Sequence, residues 1–176
     1  MKYAIGQYDD HVDTSVTVGW DSFFVAMAGA AAALAGLIIV AMTVTIKDIL
    51  ASKSLPSRAA ATIATLVLVV VVSGLTLMPA QPPVALGVEL MVVTALAFAI
   101  EIFSAVRIMQ ERPPRPPAEN AYKIVLGIGQ LVPILIGAVL IAAGNAEGVF
   151  WVAGGILLII AFAMMNAWVL LVEVQR

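Results

Sequence analysis

The chain has 176 residues, of which 62% are hydrophobic and only 11% are charged, and its formal net charge is −2. Soluble domains are about half apolar and about a quarter charged, so this composition predicts a chain whose main solvent is lipid. The lack of a basic excess argues against a nucleic acid partner, and the lack of cysteine excludes disulfides and thiolate-bound cofactors.

Five apolar runs are each long enough to cross a bilayer, which takes roughly 20 residues. They predict an all-α, polytopic membrane protein with five transmembrane helices in one bundle over residues 23–174. The predicted spans are residues 23–46, 59–78, 84–108, 121–143 and 149–172. An acidic tail, residues 1–22, precedes the bundle, and a Pro-rich loop, residues 109–120, is expected to be a stiff polyproline spacer.

Lysine and arginine are concentrated on one side of the predicted spans. Only Lys2 lies on the other side, and eight basic residues share the first side: Lys47, Lys53, Arg58, Arg107, Arg112, Arg115, Lys123 and Arg176. Cytoplasmic loops hold an excess of these residues, so we predict an N-terminus outside and a C-terminus in the cytoplasm.

Glu101 is an ionisable residue inside the third predicted span, where an uncompensated carboxylate is costly. It precedes Arg107 by six residues, so it lies roughly 9 Å inside the cytoplasmic end of the helix. Residues at a similar depth in other spans are Thr43, Gln130 and Asn166, with Lys47 able to lean in. This polar cluster is either an interhelical hydrogen-bond clamp or an ion or proton site, and Glu101 could also simply snorkel to the inner interface.

Glu89 lies near the opposite end of the same span, about five residues after Pro83. Its neighbours on the helix surface are apolar, so we expect its carboxylate to reach the outer interface. Twelve residues separate it from Glu101, so the two are not a catalytic pair.

The fourth predicted span contains Pro133, which has no N–H and leaves the carbonyl of Gly129 without its helical partner. A kink is therefore expected at this point. It is either a structural irregularity or a hinge next to Gln130.

The sequence argues against an enzyme. The single histidine, His11, lies in the N-terminal tail, and every aspartate lies at or outside the ends of the predicted spans. Intramembrane serine or aspartyl proteolysis needs a base or an aspartate pair within the membrane. We also expect no cofactor and no metal, because no ligand cluster is visible.

The motifs "LPSRA", "LMPAQ" and "LGVEL", with the turn from Thr43 to Lys47, resemble a family of small multi-pass membrane proteins abundant in actinobacteria. The resemblance covers roughly residues 35–91, and Glu89 matches the glutamate of "LGVEL". Some members are labelled modulators of an FtsH-type membrane protease. The resemblance implies a multi-pass protein of the bacterial cytoplasmic membrane and no specific activity.

Two functions remain open from the sequence. The first is an accessory or regulatory subunit that binds a larger membrane complex in the lipid bilayer. The second is a homo-oligomeric ion channel or transporter that uses the predicted polar cluster.

Overall fold

The structure, a computed structural model, describes residues 16–17, 19–44, 55–109 and 125–173 and is all-helical there. The long helices are α1, Asp21–Val44; α2, Leu55–Thr76; α3, Pro83–Met109; α4, Val132–Ala142; and α5, Gly148–Glu173. A short helical segment, residues 125–129, precedes α4, and together they form the fourth span, Val125–Ala142. Five segments of the described residues are long and apolar enough to cross a membrane, so the all-helical class and the five predicted apolar helices are confirmed.

The helix ends differ little from the predicted ones, except that α2 begins at Leu55 instead of residue 59. Pro56 lies in its first turn, where the missing N–H of proline has no helical partner to lose. The loop residues 110–120, residues 121–124 of the predicted fourth span and residues 1–15 of the tail lie outside the described residues.

α2, α3, α4 and α5 form a four-helix bundle, and α1 packs against its outer side. α3 contacts α2 and α4, and α5 contacts α4 and α2. α1 packs against α2, touches α5 and has no contact with α3 or α4 within the described residues. The largest fully buried side chains of these four spans are Leu66, Val69 and Val72 of α2, Leu90 of α3, Leu131, Ile134 and Ile141 of the fourth span, and Val149, Val152, Ile156 and Ile159 of α5.

Glycines allow α3, α4 and α5 to approach closely. A Cβ atom built on Gly137 of α4 would lie 2.5 Å from the Gly148 oxygen and 2.6 Å from Cγ2 of Val152. A Cβ atom on Gly87 of α3 would lie 2.5 Å from the backbone nitrogen of Ala142. Close packing at small residues is a main source of helix association in lipid, where no hydrophobic effect acts between helices.

The turn between α4 and α5 is tight because Gly144 adopts a φ of 78°. Its N–H donates to the Ile141 carbonyl at 2.8 Å, and the N–H of Asn145 donates to the Leu140 carbonyl at 2.9 Å. These two bonds form a Schellman motif, which closes the end of a helix. The side-chain oxygen of Asn145 then accepts the Glu147 N–H at 2.9 Å, just before α5 begins.

Aromatic rings join the N-terminal ends of α1 and α5. The ring centroids of Trp20 and Phe150 lie 4.9 Å apart in an edge-to-face arrangement. Phe23 packs against the same tryptophan, with a centroid distance of 5.6 Å. The two helices therefore begin at the same end of the bundle.

Candidate functional site

The predicted polar cluster does not form among the described residues. Thr43 is exposed, and its hydroxyl donates to the Val40 carbonyl of its own helix at 2.7 Å. Asn166 is also exposed, on α5. Lys47 lies outside the described residues. Depth in the membrane sets the level of a residue but not its direction around the helix axis, and α1 lies outside the bundle, away from α3.

Glu101 lies at the contact between α3 and the fourth span. A Cβ atom built on Gly127 would lie 2.9 Å from Oε2 of Glu101 and 3.6 Å from its Cδ. The carboxylate thus packs directly on the backbone of residue 127, at a point where only glycine leaves room for it. No hydrogen bond or salt bridge from a described residue reaches this carboxylate in the structure.

The fourth span is interrupted at the position where Pro133 was expected to kink it. Residues 125–129 are helical, Gln130 and Leu131 form a turn, and α4 begins at Val132. Gln130 is buried with 7% of its surface exposed, and it lies about one helical turn from Gly127. A backbone break therefore lies next to the Glu101 contact.

The interruption changes which backbone carbonyl groups accept hydrogen bonds. In a regular helix the N–H of Leu131 would donate to the Gly127 carbonyl. Here it donates to the Ile128 carbonyl at 3.1 Å, and the described backbone provides no other donor for Gly127. The Gly129 carbonyl is also freed, because Pro133 has no N–H. Gly127, which the Glu101 carboxylate contacts, thus has a carbonyl oxygen that accepts no hydrogen bond from the described backbone.

One face of α3 runs along the fourth span at seven-residue intervals. Gly87 contacts Ala142 and Ala138 of α4, and Glu101 contacts Gly127. Thr94 lies midway between them on the same face, because seven residues are close to two turns. Its side chain is fully buried, and its hydroxyl has no hydrogen-bond partner among the described residues.

Glu89 has a partner at the other end of α3. Nε2 of Gln81, in the turn between α2 and α3, donates to Oε2 of Glu89. Oε1 of Gln81 is buried without a hydrogen-bond partner in the described part of the chain. Glu89 is partly buried. Glu89 thus lies near the end of α3, as expected, and also makes a specific side-chain contact with the turn between α2 and α3.

The sequence places Thr94 on the helix face of Glu101 and Gly127 in the glycine-rich part of the fourth span, but it did not indicate the contact of Gly127 with Glu101 or that of Gln81 with Glu89. The seven-residue spacing of Gly87, Thr94 and Glu101 was a readable signal for a shared face. Gln81 carried no comparable signal. It lies in the turn before α3, and the path of that turn, which brings it to Glu89, is not visible in the spacing of the residues.

Comparisons with protein families, curated proteins and solved structures give no significant match to this chain.

Proposed function

We propose that the protein is a non-enzymatic accessory or regulatory subunit that binds a membrane-embedded partner through the outer face of α1. The observation that carries this proposal is that one side of α1 packs on the other helices and the opposite side is exposed. Residues 35–91 resemble a family in which some members are labelled modulators of a membrane protease. That label describes the same kind of role.

α1 is fully buried along one stripe, which half-buried residues such as Phe23, Met27 and Leu34 flank. Its buried apolar residues, Phe24, Ala31 and Ile38, follow one another at intervals of seven residues. The opposite side of the helix is exposed. A helix that packs on one side only leaves a whole face for lipid or for a helix of another protein.

The exposed face of α1 contains a run of small residues between the larger Val25 and Val40. Gly29, Ala33 and Gly36 are exposed, and a Cβ atom on either glycine would meet nothing within 4 Å. By contrast, Gly87, Gly137 and Gly148 inside the bundle contact neighbouring backbone. Small residues four and three positions apart let a second helix approach closely in lipid, so this face suits a transmembrane helix of a partner.

Leucine at both positions, Gly29→Leu with Gly36→Leu, should abolish partner binding, because two large side chains hold the helices apart. After extraction of the tagged protein from its own membrane, we expect at least about a tenfold loss of the co-purified partner. A photo-crosslinking residue at position 33 should capture the same partner in the wild-type background.

The matched control is Gly74→Leu, since Gly74 of α2 is also exposed with nothing within 4 Å of its Cβ position. It should leave the partner bound. Equal recovery from the double leucine variant and the control, or crosslinks at position 33 to lipid alone, would contradict the proposal.

We further propose that the N-terminus is outside and the C-terminus in the cytoplasm of a bacterial cytoplasmic membrane. The asymmetry of the basic residues supports this orientation. The chain has no cysteine, so single cysteines can be labelled without background.

Ala146→Cys, in the exposed turn between α4 and α5, should react with an impermeant thiol reagent on intact cells. Ala118→Cys, in the Pro-rich loop, should react only after permeabilisation. The reverse pattern would invert the proposed orientation.

A homo-oligomeric ion channel or transporter is the second candidate, and the contact of Glu101 with the broken fourth span favours it. Ionisable residues inside membrane spans mark ion pathways in many proteins. Fully buried aliphatic side chains fill the described bundle interior, so an ion path would have to run between copies of the chain, and the partner function ranks first. Cation flux into liposomes that is lost in Glu101→Gln would reverse this order.

A further inference from the structure

We propose that two copies of this chain associate side by side in the membrane through α5, with the Asn166 side-chain amides of the two copies hydrogen-bonded to each other. This goes beyond the proposed function, because that function uses a different helix, α1. The contact surface on α5 consists of Asn166 and the side chains beside it, Leu158, Phe162 and Met165.

Asn166 faces out of the bundle. In this part of α5 Ala163 and Ala167 are buried, whereas Met165, Asn166 and Trp168 are exposed. The described residues provide no hydrogen bond to the Asn166 amide. The exposed amide therefore has donors and an acceptor that the described bundle does not use.

The amide lies within the apolar part of its helix. Asn166 belongs to the candidate membrane span Gly148–Trp168, and it is the only side chain with an amide, a hydroxyl or a charge in residues 149–172. Six apolar residues separate it from Glu173, so it lies roughly 10 Å from that end of α5. Long lysine and arginine side chains extend to the interface over such distances, but asparagine has a single methylene group and does not.

An amide at this depth favours contact with another helix. Removing an amide from water without a new hydrogen bond is costly, and hydrocarbon supplies neither donors nor acceptors. Membrane helices accordingly associate through asparagine and glutamine side chains that hydrogen-bond across the contact. Asn166 therefore requires a polar group on a neighbouring helix at its own depth.

A second copy of the chain supplies the matching group. An asparagine amide has one carbonyl acceptor and two N–H donors, so two such amides can form two reciprocal N–H···O bonds. Copies of one chain insert with the same topology, so their Asn166 residues lie at the same depth and their α5 helices run parallel. A twofold axis brings the same residue of both copies together. A single asparagine fixes register and oligomeric state in helical coiled coils.

The side chains beside Asn166 provide the apolar part of the contact. Leu158 and Met165 are exposed and, at a spacing of seven residues, lie on the same side of α5. Phe162 lies one turn before Asn166 and is half-buried, so part of its ring remains for a neighbour. Methionine is flexible and adapts to irregular surfaces. These three side chains can shield the amide pair from lipid.

The test measures dimerisation of the purified full chain in lipid vesicles. Energy transfer between donor- and acceptor-labelled copies of Ala146→Cys, followed as lipid dilutes the protein, gives a dissociation constant; the chain has no native cysteine. We expect reversible dimers of this labelled parent, and a dissociation constant at least about tenfold higher when Asn166→Leu is added. Asn166→Gln keeps an amide and should change the constant by less than about threefold.

Thr43→Val is the matched control. Thr43 is also exposed and lies at a similar depth, but its hydroxyl donates to the Val40 carbonyl at 2.7 Å and needs no other partner. This variant should keep the parent dissociation constant. Gly29→Leu with Gly36→Leu should keep it too while losing the partner of α1, so the two proposals fail independently.

Crosslinking locates the contact in a chain with an intact Asn166. Met165→Cys should form a disulfide between copies when oxygen oxidises the two thiols with a copper catalyst. Ile102→Cys, on the exposed side of α3, should not. Monomers at every lipid dilution, or equal dissociation constants with and without Asn166→Leu, would overturn the proposal. Crosslinks at Ile102→Cys but not at Met165→Cys would overturn it as well, because the copies would then meet through another helix.

Discussion

Gly137→Leu is expected to separate α4 from α5 and to lower the free energy of unfolding by about 3 kcal/mol. A Cβ atom at this position would lie 2.5 Å from the backbone oxygen of Gly148, and a leucine side chain extends further into the same contact. Backbone atoms cannot rotate away as a flexible side chain can, so the helices must move apart and lose their packing. Thermal or denaturant unfolding followed by circular dichroism measures the loss.

Gly154→Leu is the control for this prediction. Gly154 lies in α5, close to the same contact in sequence, but a Cβ atom on it would meet nothing within 4 Å. It should therefore change stability by less than about 1 kcal/mol beyond the effect of helix propensity. Equal losses in the two variants would show that the α4–α5 contact at Gly137 is not tight.

Ile134→Ala is expected to destabilise the protein by about 3 kcal/mol, because it leaves a cavity between α4 and α5. Ile134 is fully buried, and its Cγ1 lies 2.5 Å from the Cβ position of Gly155. Gly155→Ala alone should also destabilise, by about 1–2 kcal/mol, since the new methyl group collides with the isoleucine.

The double variant, Ile134→Ala with Gly155→Ala, tests the geometry more sharply than either change alone. The new methyl group of residue 155 then enters the space that the isoleucine left. We expect the double variant to be more stable than the sum of the two losses by about 1 kcal/mol or more, measured as a double-mutant cycle. Additive losses would mean that the two residues do not touch.

The spans could be predicted from the sequence because hydropathy and length decide them. Residues 131–143, which include Ile134, contain no polar or charged side chain, and lipid imposes a length of roughly 20 residues on each helix. The interruption near Pro133 was also predictable, since a missing N–H has a local effect.

The directions of the side chains could not be predicted in the same way. Thr43 and Asn166 share the approximate depth of Glu101, yet both are exposed, because the order of helices around the bundle decides which faces meet. A membrane helix that is apolar on all sides gives no strong periodic signal for its buried face. Glu101 remained recognisable because a carboxylate in hydrocarbon requires compensation wherever it points.

The edge-to-face contact between Trp20 and Phe150 bears on the order in which the helices assemble. Phe150 follows Trp20 by 130 residues, so the contact cannot form until the ribosome has made all the residues between them. The α4–α5 hairpin, by contrast, has a turn closed by neighbouring residues and can form locally. Until α5 is synthesised, α2 is the only helix of the described residues that α1 contacts. The face of α1 that packs on α5 is thus exposed to lipid until the last of these helices arrives.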